Sequence, residues 1–114
     1  MRKKVRIQKN YMDFSEISDK DLVKKALDDS SVFGELVKRY QGKLFLYIRR
    51  ISNGSIEDSE DLLQEVFIKA WKKLNSYNDN FAFSTWIYRI THNTVISEFR
   101  KKKPQTVELH EELP

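Results

Sequence analysis

A chain of 114 residues, 39% of them hydrophobic, can form one domain with its own core and needs no metal or disulfide to hold it. It has no cysteine, which excludes a thiolate nucleophile, a cysteine-based zinc site and a disulfide framework, and is compatible with an intracellular setting. The net charge of +4 is unevenly laid out: five cations in residues 1–10, four in 100–103 and three acids in 105–114 leave −2 for residues 11–99. Such a layout suits a protein that touches a polyanion at one edge and something else elsewhere, although basic ends that are merely solvated give the same numbers.

Three glycines and two prolines punctuate the chain, and apolar residues recur at spacings of three and four. The expected fold is therefore all-α, a compact bundle of about four helices. Residues 1–15 read as a basic, flexible lead, residues 16–103 as the helical domain, and residues 104–114 as an acidic tail or the start of a linker. The opening "MRKKVRIQKNYMDF" has a charged head but no apolar run behind it, which argues against a signal peptide. Nor does any apolar stretch reach the length of a membrane span, so no membrane partner is expected.

Ser18 with Asp21 predicts the cap of a first helix over 19–29. A second, over 31–53, carries Val32, Phe33, Leu36, Val37, Tyr40, Leu44, Ile48 and Ile51 on one side, and Asn53-Gly54 reads as its C-terminal stop. Ser55 with Asp58 opens a third helix over 56–74. The segment "NSYNDNFAF", 75–83, is too polar and turn-rich to continue it. Ser84 is then expected to cap a fourth helix from Thr85 to Lys103, which Pro104 stops.

Projected at about 100° per residue, the third helix places Ile56, Leu63, Val66, Phe67, Ala70 and Leu74 on a core stripe. The opposite side holds Glu57, Asp58, Asp61, Gln64 and Glu65, with Ile68 between Asp61 and Gln64 and Trp71 at the flank. The helix dipole explains acids in the first turns, and single exposed apolar residues are common. Neither explains the alignment of Asp61, Gln64, Ile68 and Trp71, which has the composition of a docking face for a basic helix.

The fourth helix has two occupied sides. Phe83, Trp86, Ile87, Ile90 and Thr94 form a core stripe, while Tyr88, His92, Val95, Ile96 and Phe99 lie opposite, with Arg89, Asn93 and Arg100 between. A fully buried helix would not carry those polar residues and a terminal Arg-Lys-Lys-Lys, so partial burial with one working edge is expected. Cations reach phosphates, an asparagine can read a base edge, and aromatics offer stacking surfaces for unpaired bases.

Catalytic chemistry has little to stand on. His92 and His110 are the two histidines, no carboxylates stand at metal-ligand spacing beside them, and there is no glycine-rich phosphate loop or nucleophile with a partnered base. His92 reads as a surface or edge histidine. The expectation is a non-enzyme without a metal or other cofactor.

The motifs "SEDLLQEVFIKAWKKL" and "FSTWIYRITHNTVISEFRKKK" together resemble region 2 of the bacterial RNA polymerase sigma factors, in the extracytoplasmic-function group. The resemblance covers about residues 19–103. It implies a transcription initiation factor domain, at work in the cytoplasm, that binds core RNA polymerase and helps melt the promoter −10 element through a flipped base. In that family the helix with the Asp-x-x-Gln pattern docks on the clamp helices of the largest polymerase subunit, which points to Asp61 and Gln64, with Glu65, Ile68 and Trp71 as neighbours. The following loop, here Asn75 to Phe83, captures the flipped base, with Asn78, Asn80 and Phe81 as the expected contacts. The next helix meets the melted non-template strand and adjoining phosphates, matching Tyr88, Arg89, His92, Asn93, Arg100, Lys101, Lys102 and Lys103. An anti-sigma factor is a further partner that the resemblance leaves open.

Two departures from the pattern matter. Housekeeping sigma factors carry adjacent tryptophans in the melting segment, whereas here Trp86 stands alone, so melting is expected to lean on the captured base. The family's second, helix-turn-helix domain is absent from the sequence, which stops at Pro114, and the linker-like tail points to truncation. Two other readings remain at this stage. One is a helical protein-interaction adaptor with a sigma-like fold that does not read DNA, and the other is a duplex-DNA binder.

Overall fold

The computed structural model describes residues 14–102. They form four α-helices and no strand: α1 (Asp19–Asp28), α2 (Phe33–Ile51), α3 (Ile56–Lys72) and α4 (Phe83–Lys102), with 3-10 turns at Ser30–Val32 and Leu74–Ser76. The all-α expectation holds. Residues 1–13 of the lead, Lys103, Pro104 and the acidic tail lie outside the described residues.

The predicted serine caps form at the first and third helices. Ser18 Oγ accepts from the Asp21 amide at 3.1 Å and Ser55 Oγ from the Asp58 amide at 3.0 Å, each satisfying one of the free N–H groups of a first turn. Between α1 and α2, Asp29 accepts from the Ser31 amide at 3.1 Å and turns the chain into the 3-10 segment, which runs directly into α2.

Two expected helix ends are built differently. Gly54 does not adopt a left-handed conformation, and α2 ends two residues earlier than expected, where the Ser52 amide donates to the Ile48 carbonyl at 2.9 Å. The smallness of Gly54 matters for space instead: a Cβ there would lie 3.1 Å from Asp58 Cβ, in the first turn of α3. At α4, Ser84 lies inside the helix; the first turn closes from the Trp86 amide to the Ala82 carbonyl at 3.3 Å, so no serine cap is made.

The central element is α2, which packs on α1, α3 and α4. Leu22 and Ala26 of α1, Leu44 and Ile48 of α2, and Val66 and Ala70 of α3 are fully buried. The α3 stripe is rotated from the expected one: it runs Ser59, Leu62, Val66, Ala70, whereas Leu63 and Phe67 lie at its edge and Ile56, at the open end of the helix, is 56% exposed. Along α4 the buried line is Phe83, Ile87, Thr91, Thr94 and Val95. Val95 thus belongs to the core, and Trp86 and Ile90 are only partly buried against it. Thr91 and Thr94 are tolerated inside because each hydroxyl donates back to the carbonyl four residues earlier, Ile87 at 2.8 Å and Ile90 at 2.7 Å.

One polar network ties α1 to α2. Asp19 accepts from the Tyr40 hydroxyl at 2.6 Å and from Arg39 at 3.0 Å, and Arg39 also donates to the Phe14 carbonyl. Burial, the bond to Asp19 and that carboxylate's charge push the Tyr40 hydroxyl well above the usual tyrosine pKa, against a smaller opposing effect of Arg39.

Candidate functional site

Two separate faces carry the expected site residues. The first is on α3. Asp61 and Gln64 are exposed one turn apart, Ile68 is 54% exposed and Trp71 42% exposed. Gln64 and Ile68 form part of an open groove of about 380 Å³, whose other lining residues are Leu63 and Phe67 of α3 and Val37 and Gln41 of α2. The groove exists because the α3 stripe is rotated: Leu63 and Phe67 lean outward from the core and floor it. Trp71 is steadied by Phe33 of α2, ring centroids 5.3 Å apart. Glu65, one turn after Asp61, lies 3.4 Å from Lys69, whose ammonium also donates to Thr94 Oγ1 of α4 at 3.3 Å. Val37, expected on the core stripe, and Gln41, which no pattern singles out, thus line a groove that has no signature within either helix alone.

The second face begins in the loop between α3 and α4. The 3-10 turn brings Tyr77 back onto the core, where its ring meets Phe83 at 5.5 Å and Trp86 at 5.4 Å. Its hydroxyl donates to the Phe81 carbonyl, while the Asn80 amide donates to Asn78 Oδ1 at 2.9 Å and the Phe81 amide to the Asn78 carbonyl at 3.1 Å. These bonds close a short loop whose outer residues, Asn78, Asn80 and Phe81, are exposed, the Phe81 ring by 62%. Partial burial, then the carboxylates of Asp79 and Asp19, push the Tyr77 hydroxyl above its usual pKa. Tyr77 was not among the expected site residues; its neighbours Phe83 and Trp86 were read as packing, and the signal was the aromatic spacing 77, 83, 86.

Along α4, Arg89, His92, Asn93, Arg100 and Lys101 are exposed and Tyr88 is half-buried. Tyr88 and His92 are brought together by a residue that sequence reasoning missed, Tyr47 of α2. Its ring meets the Tyr88 ring edge-on at 5.3 Å, and its hydroxyl is 3.0 Å from His92 Nδ1. Lys103 lies outside the described residues, as does the side chain of Lys102. Among the described residues there is no group of three or more histidine, cysteine or carboxylate side chains able to hold a metal, and no helix is long and apolar enough to cross a membrane.

A docking-type face on α3 and a loop-and-helix face rich in amides, aromatics and cations, set on four helices, define the architecture of a sigma-factor region 2. The family described as Sigma-70 region 2 matches residues 36–105, and the chain belongs to that family. Its relatives are sigma factors of the extracytoplasmic-function group. It is 40% identical over 76 residues to the ECF RNA polymerase sigma factor SigW of Bacillus subtilis (strain 168), across 67% of this chain and 40% of that protein. Against the ECF RNA polymerase sigma-E factor of Escherichia coli (strain K12) it is 40% identical over 81 residues, across 69% of this chain and 41% of the relative. The chain thus spans about two fifths of the length of these relatives. Among solved structures it is similar to the NMR structure of an engineered region 2 of sigmaE in complex with GTAAAA, with a TM-score of 0.69 and 35% identity over 82% of this chain and 97% of that one.

Proposed function

We propose that this chain is the promoter-recognition domain of a transcription initiation factor, binding core RNA polymerase through α3 and the non-template strand of a −10 element through the 75–83 loop and α4. The observation that carries this reading is Phe81: a large aromatic ring, 62% exposed, held at the tip of a loop whose backbone is tied down on both sides. An exposed aromatic on a rigid support is a stacking platform for an unpaired base, flanked here by the amides of Asn78 and Asn80. Unstacking a base costs about a few kcal/mol. A loop already ordered in the free protein adds little to that cost.

Asp61 and Gln64 beside the exposed Ile68 and Trp71 supply the polymerase contact, an apolar centre rimmed by polar groups that suits a basic helix. Arg89, Asn93, Arg100 and Lys101 extend the nucleic-acid contact along α4. The sigmaE relative in complex with GTAAAA makes that hexamer the first single-stranded probe to use.

The test is titration of labelled protein with core RNA polymerase, wild type beside Asp61→Ala and Gln64→Ala, followed by binding of the complex to single-stranded GTAAAA and to a scrambled hexamer. Saturable binding weakened by either substitution, with preference for GTAAAA, supports the reading. Binding to polymerase with no preference between the two hexamers would leave a protein-interaction adaptor as the better account.

A further inference from the structure

Beyond the loop and α4, a third element faces the same edge of the molecule. On α2, Lys43 Nζ lies 5.4 Å from the centre of the Tyr40 ring and the Arg50 guanidinium 5.9 Å from the centre of the Tyr47 ring. A cation set over an aromatic face is held electrostatically, which limits the rotamers its long side chain samples. The two rings are themselves fixed from α4. Tyr40 packs on Phe83 at 5.5 Å, next to the loop, and Tyr47 packs on Tyr88 at 5.3 Å and reaches His92 Nδ1 at 3.0 Å, further along the same helix. The α2 row therefore starts beside the base-capture loop and runs alongside α4 toward its basic end.

Lys43 and Arg50 are both exposed, and neither belongs to the ion pairs formed among the described residues, Arg39–Asp19 and Lys69–Glu65. The helix dipole accounts for Arg50, in the last turn of α2, but not for Lys43 in its middle. Seven residues of helix separate them, about 10 Å along the axis. That is the reach of about three nucleotides of a stacked strand, so the two cations meet different phosphates.

From this we infer that Lys43 and Arg50, positioned by Tyr40 and Tyr47, form a second phosphate-binding row on α2 that holds the backbone of single-stranded DNA flanking the bases read by the loop and α4. The inference rests on the nucleic-acid reading above. The row supplies affinity without sequence preference, since it offers charge and no group aimed at base edges. Tyr47 acts as a positioning residue, joining Arg50 to His92 and Tyr88 across the two helices.

The experiment uses the full chain, bound to core polymerase, and a fluorescent single strand carrying GTAAAA with a thymidine tail on either side, titrated over a series of NaCl concentrations. Removing a phosphate-bound cation lowers the slope of log K against log salt by about 0.7 for single-stranded DNA. Lys43→Ala and Arg50→Ala are each expected to do so, additively, while the ratio of affinities for the GTAAAA and scrambled strands stays at its wild-type value. Lys24→Ala, on the exposed face of α1, is the control and leaves the slope unchanged. Slopes equal to wild type in both α2 variants, with the GTAAAA preference intact, overturn the row and spare the base-reading proposal; the same loss of slope in Lys24→Ala overturns it too, as diffuse charge. A wild type that prefers neither strand overturns the base reading itself.

Discussion

Tyr77 and Phe81 divide one task between them: the Tyr77 hydroxyl donates to the Phe81 carbonyl and fixes its backbone, while the Phe81 ring stands 62% exposed. Tyr77→Phe keeps the packing on Phe83 and Trp86 and removes only that bond. A hydrogen bond of this kind contributes about 1 kcal/mol to stability, so the melting temperature should fall by about 4–8 °C, and single-strand binding should weaken because the backbone that presents Phe81 is no longer fixed. Anisotropy titration and a thermal melt of the same sample read both quantities.

Phe81→Ala separates binding from folding more sharply. The ring contributes little burial, so stability should stay within about 0.5 kcal/mol of wild type. Loss of a base-stacking aromatic costs about 1–3 kcal/mol, and the affinity of the polymerase complex for a GTAAAA strand should drop accordingly. Equal affinities in the two proteins would remove Phe81 from the contact.

On the α3 face, Ile68 and Trp71 should behave differently although both are exposed. Ile68→Ser touches only the lip of the groove, so it should leave stability unchanged within about 0.5 kcal/mol and weaken polymerase binding. Trp71→Ala also loses the contact with the Phe33 ring at 5.3 Å, and should cost about 1 kcal/mol of stability as well as affinity. Urea denaturation beside polymerase titration distinguishes the two patterns.

Tyr40 makes stability depend on alkaline pH. Up to its ordinary pKa of about 10 both folded and unfolded chains hold the proton, and Tyr40 adds no pH dependence. Above that value the unfolded chain releases the proton while burial and Asp19 keep it on the folded one, so stability falls with rising pH until Tyr40 ionises in the folded state too. Tyr40→Phe, less stable at neutral pH for want of the Asp19 bond, should show a shallower decline, read from urea midpoints between neutral pH and about pH 11.

Periodicity made the four helices legible, and the two serine caps at Ser18 and Ser55 were legible from residue type alone. The rotation of each helix about its axis was less so. Apolar residues at 62, 63, 66 and 67 fit two stripes about 100° apart, and only the partner helix decides that Leu62 is buried while Leu63 floors a groove. In α4, Thr91 sits in the core because its hydroxyl satisfies itself on the preceding turn, which a hydropathy pattern does not register, and Val95 lies one turn further along the same buried line. Gly54 looks by residue type like a conformational stop, whereas its constraint in the fold is the nearness of Asp58. Tyr47 was invisible for a different reason: nothing in the sequence of α2 announces that its partners lie on α4, some forty residues downstream.

Leu63 and Phe67 serve two sides at once, floor of the α3 groove and outer wall of the core. Whatever fills the groove therefore becomes part of the packing that keeps the bundle folded, and the free energy of its association adds to resistance against unfolding. By this coupling, filling the groove raises the resistance of the bundle to unfolding and to proteolysis, and Leu63 and Phe67 are the side chains through which that effect reaches the core.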